Sequence, residues 1–174
     1  MTTNTIEKLN LLFGGDEESK TQARALVEAI GPTGLLSMQE INEADLSKLD
    51  LSHMYLFGIG LHKADLFGAN LTCANLVGAD LREADLRGTD LTCADLTDAD
   101  LTGALLTCAN LEGACLQGAK LHHTNCDMAN FSNADFAGAE FTFASVQLAK
   151  FGGSNVTDFQ INECRGPVML MEER

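Results

Sequence analysis

The chain has 174 residues, 45% of them apolar, with 6% aromatics, no Trp and a formal charge of -14. That is enough apolar material for one packed domain and too much for a disordered chain. The charge argues against direct binding to nucleic acid or an anionic membrane, both of which recruit cations, and no stretch approaches the ~18 apolar residues of a spanning helix.

The first segment, 1–40, does not repeat and reads as a helical cap. Met1–Asn10 has no basic stretch followed by an apolar one, so no leader is predicted. Six Cys without such a leader read as free thiols of a reducing cytoplasm. Asn4 and Glu7 form a capping-box pattern, with Ile6, Leu9 and Phe13 at helical spacing behind them. Gly14–Asp16 breaks that helix. A second helix comes next, with Asp16, Glu17 and Glu18 at its positive end and Ala23, Leu26, Val27 and Ile30 as one apolar stripe. Gly31 and Pro32 stop it. A helical hairpin with one apolar face either covers the open end of the neighbouring segment or docks on another protein.

From 41 to 161 a period of five replaces both the helical and the strand period. The large apolar position, here called the centre, recurs 24 times from Leu46 to Ile161. Sixteen centres are Leu and four are Phe (Phe131, Phe136, Phe141 and Phe151); the others are Cys126, Val146, Val156 and Ile161. The residue two before the centre is Ala in 17 of the 24 units, and the residue between them is Asp or Asn in 15.

This tandem A-(D/N)-L-x-x motif resembles that of the pentapeptide-repeat proteins, over about 120 of the residues. The resemblance implies a mainly β fold, a right-handed quadrilateral β-helix with four pentapeptides per square coil. The centre and the Ala two before it would point inward, and the other three positions outward. On that reading Leu91 is interior and Thr92, beside it, is exposed.

The physics fits the picture. Five residues cannot enclose a core, so neighbours must stack, and large centres alternating with small Ala fill a lumen without voids. Twenty-four units make six coils, and at ~4.8 Å per coil the rod is roughly 29 Å long. Gly follows the centre by two at several units, including Gly68, Gly88 and Gly118, where a turn needs positive φ. Other units carry Cys73, Glu83, Cys93 or Asp98 there, which predicts turns of different types. The first coil is irregular at Lys48, Leu49, His53, Met54, Tyr55, Ile59 and Gly60, as suits a coil that meets the cap. Phe centres near the other end predict a wider lumen or a different layer spacing there. In the tail, 162–174, the apolar run Val168, Met169, Leu170 and Met171 either covers the last coil or pairs with a second copy.

In a four-sided coil, residues 20 apart stack into ladders. His53, Cys73 and Cys93 form one. Three rungs span ~9.6 Å, too far for ligand atoms that lie ~2.0–2.3 Å from a shared zinc. A Cys73–Cys93 disulfide has an allowed Cα spacing, though parallel Cβ vectors keep the sulfurs' roots apart. His122 and His123 are successive outward residues and diverge. No cofactor is called for, and no catalytic set stands apart from the repeat; a filled lumen offers no pocket, so the chain is not read as an enzyme.

The acidic surface is the remaining feature. Residues 41–161 carry 16 acids and 6 bases. Asp80, Asp100 and Glu140 make the best acidic ladder, interrupted by Lys120. The resemblance implies a non-catalytic, rigid protein-binding module, like many pentapeptide-repeat proteins of bacteria and especially cyanobacteria. It also offers an alternative: quinolone-resistance relatives mimic B-DNA and bind DNA gyrase or topoisomerase IV as long dimers. The candidate interaction surface is therefore Asp80, Asp100 and Glu140 with Val168–Met171. The partner is another protein, and the chain is a monomer or a weak homodimer through its C-terminal end.

Overall fold

The structure, a computed structural model, describes residues 41–162 and Cys164. The expected helical cap over 1–40 and the apolar run Val168–Met171 lie outside these residues. Every fifth residue from Asp45 to Lys150 joins a parallel bridge to the residue 20 positions on or back. Four rows of bridges result, starting at Asp45, Asp50, Tyr55 and Gly60, so four five-residue units make one coil.

One unit shows why the chain folds this way. Leu81 N–H donates to the Asp100 carbonyl at 2.8 Å and Glu83 N–H to the Thr102 carbonyl at 3.0 Å, both in the next coil. Ala84 N–H closes a turn onto the Leu81 carbonyl at 3.1 Å, and Asp85 N–H reaches back to Ala64 at 2.9 Å. The fifth donor, Arg82 N–H, has no backbone acceptor and is taken by the Asp80 carboxylate at 3.2 Å. All five donors are thus satisfied, as buried or half-buried backbone requires. The Asp or Asn before each centre is this fifth acceptor, seen again at Asp65, Asn70, Asp90 and Asp95. It is an Asx turn repeated around a rod.

The lumen is as the sequence predicts. All centres from Ile41 to Phe151 are buried, as is every residue two before a centre from Ala44 to Ala149. Thr89 and Thr124 replace Ala in that inner row, and their hydroxyls donate to the Leu66 and Leu121 carbonyls at 2.9 and 2.8 Å. Leu49, Met54 and Ile59 fill the same row in the first coil.

Three expectations are corrected. The turns do not differ in type. The residue two after the centre has positive φ at every unit from Glu43 to Gly153, whether Gly or not; Cys73, Glu83, Cys93 and Asp98 sit at 56° to 58°. With the centre carbonyl accepting from the residue three on, this is the type II pattern throughout. The register between coils imposes it, so residue type does not choose it. The Phe region does not respace the layers either: inter-coil bonds there, such as Leu121 to Glu140 and Phe131 to Lys150, remain 2.7 Å. Instead Phe131, Phe136, Phe141 and Phe151 share one cluster, with ring centroids 5.1–5.9 Å apart, and the smaller Cys126 and Val146 make room beside them. Finally, the last two expected centres leave the repeat. Val156 is half-buried on no bridge, and Ile161 packs from a short helix, α1, Asp158–Asn162.

Helix α1 is started by a capping box. Gln160 N–H donates to Thr157 Oγ1 at 3.3 Å, and Thr157 N–H donates to Gln160 Oε1 at 2.8 Å. The Gln160 amide also donates to the Phe136 and Ala139 carbonyls, each at 2.9 Å, which ties α1 over the end of the rod.

Candidate interaction surface

The acidic ladder forms as expected: Asp80, Asp100, Lys120 and Glu140 are successive rungs of one row. Part of its charge is paired inside the molecule. Arg82 holds Asp80 through two bonds, Nε at 2.7 Å and Nη2 at 2.6 Å. These bonds, more than any other contact, keep the Asp80 carboxyl below the usual carboxylate range. Arg87 does the same to Asp85. His122 Nε2 lies 2.8 Å from the Glu140 carboxylate, and Lys63 lies 3.7 Å from Glu83. The remaining acids mostly serve turns; Asp90 and Asp95 each accept from both the N–H and the hydroxyl of a Thr two residues on.

Thr92 corrects another expectation. It is half-buried, donates to Asp90 at 2.6 Å and accepts from the Asn110 amide at 2.8 Å, so it is part of an outer polar network. Asn70, Asn110 and Asn130 extend that network by donating to the residue 20 before.

Cys73 and Cys93 stack as adjacent corners, free and exposed. The Cys93 thiol leans along the rod, 3.4 Å from where a Cβ on Gly113 would stand. Cys126 is the opposite case: burial pushes its thiol up to about 12, so it is an inert core residue. His122 and His123 diverge as predicted; His123 stacks on Phe143 with centroids 5.2 Å apart. Among the described residues, no three His, Cys, Asp or Glu side chains are grouped to hold a metal ion, and no helix is long and apolar enough to cross a membrane. A shallow cavity of about 350 Å³ lies between α1 and the last turns, lined by Phe136, Glu140, Phe141 and Gln160 among others; the one carboxylate in its lining, Glu140, is the one that His122 faces.

What the sequence reading missed is apolar. Leu105, Met128, Phe143 and Leu148 are 38%, 56%, 49% and 58% exposed, and all four lie on or beside one face. Its edges are two stacks of corners, His123–Phe143 and Cys108–Met128–Leu148. Its floor is Leu105, Asn125, Asp127, Ser145 and Gln147. The N-terminal half of the same face is charged, with Asp65, Glu83 and Asp85, and there Arg87 covers Phe67 at 5.7 Å. The signal was readable: large apolar residues at outward positions of the repeat.

The family model described as pentapeptide repeats (8 copies) matches residues 59–98, 90–122 and 114–153. No curated protein matches the chain. Among solved structures, a pentapeptide repeat protein from the Arabidopsis thaliana thylakoid lumen is 29% identical, covering 73% of this chain and 74% of that one, with a TM-score of 0.40. HetL, a pentapeptide repeat protein involved in heterocyst differentiation regulation in Nostoc sp. strain PCC 7120, is 26% identical, covering 72% and 71%, with a TM-score of 0.33. QnrB1, a plasmid-mediated fluoroquinolone resistance protein, is 17% identical, covering 72% and 85%, with a TM-score of 0.43.

Proposed function

The chain belongs to the pentapeptide-repeat family, and from that premise we propose that it is a non-catalytic, rigid rod that binds another protein. The rod we infer is right-handed, with about six coils, a helical cap over 1–40 and a C-terminal closure over 162–174.

One observation carries the reading. Met128, Phe143 and Leu148 occupy corners with φ of 62°, 61° and 58° and remain about half exposed. A large L-residue in that region is about 1–2 kcal/mol less stable than in its ordinary conformations, and Gly escapes the penalty. Gly88 and Gly103 fill equivalent corners nearer the N-terminus. Stability and solubility alone favour Gly at all of them. Three apolar side chains held there against both backbone and solvent fit a contact surface.

The acidic alternative is weakened by the internal pairing of Asp80 with Arg82 and of Asp85 with Arg87. The test is affinity capture from the source lysate at low and high salt, with the native chain and with Met128→Gly/Leu148→Gly. A protein retained by the native chain at high salt and lost by the variant supports the reading. Equal retention by both removes the apolar face from it. Gyrase or topoisomerase IV subunits held only at low salt replace it with DNA mimicry.

A further inference from the structure

The apolar face permits a sharper statement about its partner, which rests on the protein-binding reading above. The geometry points to an amphipathic α-helix of another protein, laid along the rod axis over the face between the His123–Phe143 and Met128–Leu148 edges.

The floor makes one polar demand on what covers it. Asp127 accepts from Ser145 Oγ at 2.6 Å and from Gln147 N–H at 2.9 Å, and Asn125 accepts from Asp127 N–H at 3.0 Å. Both bonds to Asp127 fall on Oδ1, and among the described residues no cation is paired with this carboxylate, so a wholly apolar cover over it would bury a charge at a cost. The matching surface on the partner is therefore apolar over Leu105 and the two edges, with a hydrogen-bond donor or a cation opposite Asp127.

The backbone selects the partner's form. All six N–H groups from His123 to Met128 already donate within the rod: five to carbonyls and that of Asp127 to Asn125. An extended peptide binds a sheet through free main-chain donors and acceptors, and this stretch of the face offers no donor. A helix satisfies its own backbone and brings only side chains. Its neighbours at i and i+3 or i+4 are ~5–6 Å apart, close to the ~4.8 Å rise between corners on successive coils. Cys108, Met128 and Leu148 span two such rises, about two helical turns. One side of the coil, about three extended residues or ~10 Å across, matches the ~10 Å width of a helix.

Area decides against a second copy. At about half exposure, the four side chains present roughly 350–400 Å² of apolar surface, the size of a monomer's largest functional patch. A stable dimer buries ~800 Å² on each partner. The patch suits a short helical segment.

The test selects a phage-displayed peptide library on the full chain, with Met128→Gly/Leu148→Gly as the counter-target. Gly fits both corners, so the variant removes the side chains without straining the fold. The expected result is enrichment of peptides with apolar residues at i, i+3 or i+4, and i+7. They become helical by circular dichroism on binding and bind the variant at least tenfold more weakly. Peptides with apolar residues at every second position, or peptides bound equally by the variant, overturn the inference. A dimer in gel filtration that the variant abolishes overturns it too, because the occupant is then a second copy. If lysate capture yields a salt-resistant partner that the variant loses, yet no helical peptide binds, the helix falls and the proposed function stands. If neither appears, both fall.

Discussion

The lumen and the corners of the rod are made from the same five-residue units and follow opposite rules. In the lumen, size is regulated level by level: three Phe centres appear in the coil where Cys126 takes the place of a fourth large centre, and Thr enters an Ala row only where its hydroxyl finds a carbonyl. At the corners, the same positive φ accommodates Gly, Glu, Cys, Asp, Met, Phe and Leu. The ladder between coils fixes the backbone so firmly that the corner side chain is released from structural duty. Selectivity inside and freedom outside mean that whatever distinguishes this rod from another is written on the corners and outer rows.

The strongest way to break this comparison is to place a charge in each region. Leu91→Asp puts a carboxylate among fully buried side chains, where it has no partner, and the expected loss is about 4 kcal/mol or more. Met128→Asp puts the same carboxylate at a corner that is 56% exposed, in a conformation Asp tolerates, and the expected change is within about 0.5 kcal/mol. Urea unfolding of the two variants checks this. Equal midpoints would mean that inside and outside are wrongly assigned. Thr92→Asp is not an equivalent control, because the new carboxylate would face Asp90 across the bond Thr92 now donates.

How legible each region was follows from the same contrast. The inner rows were readable because each carries one size class at fixed spacing, and spacing survives in sequence. The single turn type was not, because positive φ at Glu83 or Cys93 comes from inter-coil bonds and leaves no mark on residue identity. Helix α1 was missed for another reason: Val156 and Ile161 continue the period of five, and the T-x-x-Q capping signal at Thr157–Gln160 sits inside that periodic run. The rungs of the acidic ladder were placed correctly, but the pairing of Asp80 was hidden. Arg82 lies two residues from Asp80, and only a turn that brings both to one surface makes them partners.

Corners also differ among themselves, and two glycines sharpen the point. At Gly88 an added Cβ meets nothing within 4 Å, so Gly88→Ala carries only the positive-φ penalty, about 1 kcal/mol. At Gly118 the added Cβ stands 2.3 Å from Asp98 Oδ1 one coil below, so the carboxylate must swing away as well. Gly118→Ala is expected to lose about 1 kcal/mol more than Gly88→Ala. Making the pair in an Asp98→Ala background should close the gap. A gap that persists would place its cause in the backbone.

Acid separates the two regions without mutation. The outer shell holds carboxylates whose folded pKa is depressed: Asp80 chiefly by the Arg82 side chain, Asp85 by Arg87, Asp135 by Gln117 and Asp50 by Ser52. Each contributes stability that is present above the unfolded carboxylate value of about 3.9 and is lost as pH falls through the lower folded value. Stability should hold from pH 8 to 5 and fall below about pH 4. Arg82→Gln should make that fall shallower by returning Asp80 toward its ordinary value. An unchanged acid slope would show that the Arg82–Asp80 pair adds nothing to folding.

The smallest expected effect tests function directly. Leu148→Gly relieves a large residue at a φ of 58°. It also gives up the restriction that Leu imposes on the unfolded chain, about 0.5–1 kcal/mol, so the net gain is at most about 1 kcal/mol. If the corner is only structural, the variant is slightly more stable and otherwise unchanged. If the corner is a contact, the same change weakens partner binding while raising the melting temperature by a few degrees. Opposite signs in two measurements on one variant cannot come from a general loss of folding. A variant that loses stability instead would show that Leu148 packs on the rod well enough to outweigh its backbone, and the case for an interaction surface at that corner would go with it.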